Sequence, residues 1–119
     1  GVLKTFEIDS TKYLIAKNKY TDNPFCQCLF VNFETYMQKT TERFDIILID
    51  STHVPDINQR LIDLSRKRRA ATGGILFHDY DFSYRSMFEQ HPSYSQFTLV
   101  QLFTQTSPNN LAHFSRIIE

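Results

Sequence analysis

Apolar residues along this chain fall into short runs that alternate with stretches of helical spacing. Residues 2–8 read as a strand that ends at Asp9. Ser10 or Thr11 can cap the helix that follows, in which Tyr13, Leu14 and Ala16 supply apolar positions before the break at TDNP. Residues 25–31 predict a second strand, and Phe33, Tyr36 and Met37 have helical spacing after it. The run 44–49 is apolar except at Asp45, the pattern of a parallel strand covered on both faces. Pro55 suits the first turn of a helix with an apolar stripe of Ile57, Leu61 and Leu64, and Gly73 with Gly74 ends it. A strand over 75–77, a short helix around 84–89 and two strands, 96–104 and 111–118, joined by the turn-rich TSPNN, complete the pattern.

Strands alternating with helices predict βαβ units, hence an α/β domain whose sheet is mostly parallel and closes with an antiparallel C-terminal hairpin. In such sheets ligands sit outside the carboxyl ends of the strands. Asp9, Asn32, Asp50 with His53, and His78 with Asp79 all fall just past predicted strand ends. Singly, a polar residue there reads as a helix cap. Gathered along one sheet edge by the fold, they read as a site.

Composition narrows the field. The 119 residues suit one domain with a small core. Thirteen basic residues balance thirteen acidic ones, so no global field draws the protein to nucleic acid or anionic lipid. The basic run RKRR at 66–69 falls in the last turn of a predicted helix, where the helix dipole favours positive charge. Cys26 and Cys28 share a strand face by alternation, too few for a structural zinc site or a disulfide framework, and this suits an intracellular, reducing compartment, with the cytoplasm expected. No run approaches the ~20 apolar residues of a membrane span.

The stretch FDIILIDSTHVPDINQRLIDLSRKRRAATGGILFHDYDF resembles the second half of class I S-adenosylmethionine-dependent methyltransferases, in particular the macrocin O-methyltransferase-like branch. There a strand ending D-G-x-H leads through a helix and a G-G turn to a strand ending H-D-Y, matched here by Asp50, His53, Gly73, Gly74, His78, Asp79 and Tyr80, with Ser51 in place of the glycine. VLKTFEID resembles the family's second strand, which makes Asp9 the ribose-binding acid, and VNF at 31–33 stands where G-D-S lies near the adenine, which assigns Asn32 and Phe33 to the cofactor. The resemblance implies a Rossmann-like methyltransferase sheet over 1–119, a partial domain that starts after the family's first strand and glycine-rich loop.

What the resemblance implies about function is methyl transfer from S-adenosylmethionine to an oxygen of a small molecule. Asp50 contributes to cofactor binding and joins Asp79 in holding a divalent cation such as Mg2+, and His53 or His78 acts as the base. The alternative is a catalytically inactive methyltransferase-like subunit that serves structure or interaction, suggested by the absent glycine loop, Ser51, Asn32 and the eleven phenylalanines. In the family a strand lies between the runs 2–8 and 44–49. The chain is therefore expected either to pair these two directly or to take a strand from another polypeptide, a second copy or a different protein.

Overall fold

The computed structural model describes residues 1–50, 54–78, 98–106 and 111–118, and these belong to two compact units, Gly1–Thr40 and Thr41–Glu119. The predicted helix around 84–89 lies outside the described residues.

In the first unit β1 (Leu3–Glu7) and β2 (Cys26–Phe30) pair in parallel, from Leu3 opposite Cys26 to Glu7 opposite Phe30. Helix α1 (Ser10–Tyr20) links them, and α2 (Phe33–Lys39) follows β2. Alternation along the strands assigns one helix to each sheet face. On the face of Phe30, Tyr13 of α1 stacks on the phenylalanine ring at 5.2 Å between centroids. On the other, Phe6 meets Phe33 and Tyr36 of α2 in tilted contacts at 5.2 and 4.9 Å. Lys4 Nζ also donates to the Tyr36 hydroxyl at 3.2 Å. The cap of α1 is Asp9 and not the expected Ser10 or Thr11: its Oδ1 accepts from Lys12 N at 2.9 Å, so Ser10 is already helical.

The second unit holds β3 (Phe44–Ile49), α3 (Pro55–Arg68), β4 (Arg69–His78), β5 (Thr98–Thr106) and β6 (Leu111–Ile118). The sheet order is β3-β4-β6-β5, with β3 and β4 parallel and β6 antiparallel to both neighbours, as the predicted C-terminal hairpin requires. Ile47, Ile49, Leu61, Ile62 and Ile75 form its core, each no more than 5% exposed. The face that α3 buries differs from the expected stripe. Asn58, Leu61, Ile62 and Ser65 are buried, whereas Ile57 and Leu64 are half-buried. Two small polar residues occupy core positions that hydrophobicity alone assigns to their neighbours.

Ser65 has no hydrogen-bond partner for its buried Oγ among the described residues. Ser65→Ala removes that unmet group and improves helix propensity, so unfolding in urea is expected to show a gain of about 0.5–1 kcal/mol. A loss of stability would mean that the hydroxyl is satisfied.

Helix α3 ends before the glycines, contrary to expectation. Arg66, Lys67 and Arg68 occupy its last turn, and Arg43 Nη1 donates to the Lys67 carbonyl, one of the groups the helix end leaves open. Gly73 and Gly74 lie inside β4, where Phe44 pairs with Arg69 but Ile46 pairs with Gly74, so β4 carries extra residues opposite Asp45. This is a bulge.

The expectation that β3 is covered on both faces is corrected too: Ile46 is 67% and Leu48 51% exposed, on the face opposite buried Ile47 and Ile49. β1 pairs with β2, and among the described residues β3 pairs with β4 alone.

Candidate functional site

In the first unit, the parallel register brings the carboxyl ends of β1 and β2 level, since Glu7 lies opposite Phe30. Each strand then passes within three residues into a helix whose cap is a candidate residue. Asp9 caps α1, and Asn32 caps α2 by accepting from Thr35 N at 3.2 Å through Oδ1. Both side chains are exposed, and capping engages one carboxylate oxygen of Asp9 and the amide oxygen of Asn32. Phe33 opens α2 and is half-buried against Phe6, so its ring braces the helix on the sheet.

Sequence reasoning passed over Glu7, because it ran the first strand through Ile8 to Asp9. The strand ends at Glu7, which makes this the carboxylate at its carboxyl end. Glu7 Oε1 accepts from both Ile8 N and Asp9 N at 2.9 Å, which fixes the carboxylate over the bend into α1. Oε2 accepts from no donor among the described residues. Ile8 beside it is 67% exposed. The signal was present in the sequence: an aspartate directly before Ser-Thr and a helical run belongs to the cap, which moves the strand end back to the glutamate.

In the second unit, Ile49 pairs with Phe77, so Asp50 and His78 follow at the ends of adjacent parallel strands. Asp50 is exposed. His78 is the last residue of β4. His53 and Asp79 lie outside the described residues. Among the described residues no group of three or more His, Cys, Asp and Glu could hold a metal ion. Asp50 by itself is a poor match for a divalent cation, and the carboxylate expected to join it is Asp79.

No family model matches the sequence, and no curated protein matches it. Solved structures do. An rRNA methylase from Streptococcus thermophilus superposes with a TM-score of 0.73 at 12% identity, over 98% of this chain and 72% of that one. The O-methyltransferase from Bacillus cereus in complex with SAH gives 0.75 at 13% identity, over 100% and 63%. The O-methyltransferase TomG from Streptomyces achromogenes, involved in tomaymycin synthesis and in complex with SAM, gives 0.74 at 14% identity, over 99% and 61%. The chain therefore has the Rossmann-like α/β fold of these methyltransferases and spans between 61% and 72% of their lengths. No helix among the described residues is long and apolar enough to cross a membrane.

Proposed function

We propose that this chain carries the cofactor-facing edge of a methyltransferase domain that uses S-adenosylmethionine and methylates an oxygen of a small molecule. The observation that carries the reading is the Glu7 carboxylate, held at the end of β1 by two backbone amides on Oε1 while Oε2 accepts from no donor among the described residues, in a fold shared with proteins crystallised with SAM and SAH. The cofactor supplies a methyl group made electrophilic by its sulfonium.

The chain's own residues bind and orient. Glu7 Oε2 accepts the hydrogen bonds of a ribose diol, a charge-assisted contact stronger than a neutral one. Exposed Ile8 offers apolar surface to a planar base, with Asn32 and Phe33 at the end of the neighbouring strand. Asp50 stands at the end of β3, and with Asp79 it would hold a divalent cation such as Mg2+ that acidifies the acceptor hydroxyl. His53 or His78 would take the hydroxyl proton, as an imidazole that titrates near neutral pH can.

One observation favours a second, compatible reading, a polypeptide partner. Within its own unit β3 pairs, among the described residues, with β4 alone, and its six residues include no lysine or proline of the kind that usually blunts an edge strand. An apolar strand from another polypeptide, a copy of this chain or a different protein, fits that edge.

Titration of the purified chain with radiolabelled S-adenosylmethionine in equilibrium dialysis tests the first reading. Saturable binding in the micromolar range, competed by the demethylated cofactor, is expected. No binding at millimolar concentration sinks it for this chain and leaves the interaction subunit.

A further inference from the structure

We propose that Cys26 and Cys28 form a two-thiolate binding site for a soft monovalent cation, Cu(I). The two residues lie on β2 with only Gln27 between them, so both side chains leave the same sheet face, while Gln27 points to the other and is exposed. Both thiols are free and half-buried. Phe30, on the same face, stacks with Tyr13, which places the pair on the side that α1 covers. Leu3 and Thr5 of β1 lie opposite them in register.

Geometry separates this ligand from the alternatives. Residues two apart in a strand are about 6.6 Å apart, and their parallel side chains keep the β-carbons at a similar separation. A disulfide needs β-carbons about 3.5–4.5 Å apart, so closing one would buckle β2. A metal bridge is longer: two thiolate–metal bonds of about 2.3 Å span roughly 4.6 Å between sulfurs, which the strand accommodates without distortion. Tetrahedral zinc needs four donors, and no group of three His, Cys, Asp or Glu exists among the described residues. Cu(I) is satisfied by two thiolates in a line, and its softness selects sulfur.

Partial burial pushes the Cys26 thiol up from its ordinary value, helped by its hydrogen bond with Cys28 and by repulsion from a Cys28 thiolate. The Cys26 thiol therefore keeps its proton at neutral pH until a metal displaces it. Binding exchanges two S–H bonds for two S–Cu bonds and releases two protons, leaving a site with one net negative charge.

The test is Cu(I) itself, supplied without oxygen to the reduced chain in competition with the chromogenic chelator bicinchoninate. One Cu(I) per chain is expected, with affinity reduced roughly tenfold or more in Cys26→Ser and in Cys28→Ser, and unchanged circular dichroism. In the unaltered chain, affinity should climb by about two decades per pH unit between about pH 6 and 8, one for each proton displaced. This readout decides the matter even if a variant misfolds. A single variant that binds like the parent, a slope of one decade or less, or a copper-bridged dimer in size-exclusion chromatography would overturn the site.

Discussion

Glu7→Gln is expected to weaken binding of S-adenosylmethionine by roughly tenfold to a hundredfold, the worth of a hydrogen bond to a charged group. The substitution is nearly isosteric. Its amide oxygen can still accept from Ile8 N and Asp9 N, as the carboxylate Oε1 does, so the bend into α1 should persist and the melting curve should stay in place. What changes is the other atom, which turns from an anionic acceptor into a donor and cannot receive two hydroxyls. Asp9→Asn is the matched control. Asparagine caps helices as well as aspartate, so the bond to Lys12 N survives and binding should move by about twofold at most. The reverse pattern, with Asp9→Asn abolishing binding and Glu7→Gln silent, would return the cofactor carboxylate to the position inferred from sequence.

Gly73→Ala is expected to cost about 2 kcal/mol, a fall in Tm on the order of 10 °C for a domain of this size. A β-carbon at Gly73 would lie 2.7 Å from the Asp45 carbonyl oxygen and 2.9 Å from both the Phe44 carbonyl oxygen and Arg69 Cγ. Two of these three obstacles are backbone and cannot swing aside. The backbone at Gly73 is outside the left-handed region, so what glycine supplies is room for β3 to approach the bulge. Arg69 Nη1 donating to the Gly73 carbonyl at 3.0 Å ties that bulge together. The β3–β4 junction precedes Asp50 and His78, so the variant should also shift the ends of these two strands. An unchanged Tm in differential scanning calorimetry would mean that the bulge has slack.

Much of this architecture is written in local patterns. The apolar run 44–49 is the strand Phe44–Ile49 to the residue, and Pro55 marks the first residue of α3. The last strand, Leu111–Ile118, and its antiparallel partner follow from two apolar runs around a turn-rich link. These features depend on neighbours within a few positions, through alternation, the fixed φ of proline and turn chemistry, so a single chain read in order contains them.

Tertiary structure decided what depends on partners far along the chain. The choice of Asn58 and Ser65 over Ile57 and Leu64 for the buried face of α3 was set by where β3 and β4 lie against the helix. The bulge that moved the glycines from the end of a helix into β4 exists only because Phe44 and Ile46 pair with residues five apart in β4. The same holds at the candidate site. The sequence determined that polar groups cluster after strand ends, but Asp9 became a cap and Glu7 the strand-end carboxylate through the hydrogen bonds each makes in three dimensions. A one-residue shift in where a strand stops is nearly neutral in hydrophobic pattern, yet it changes which carboxylate stands at the strand end and which one caps the helix.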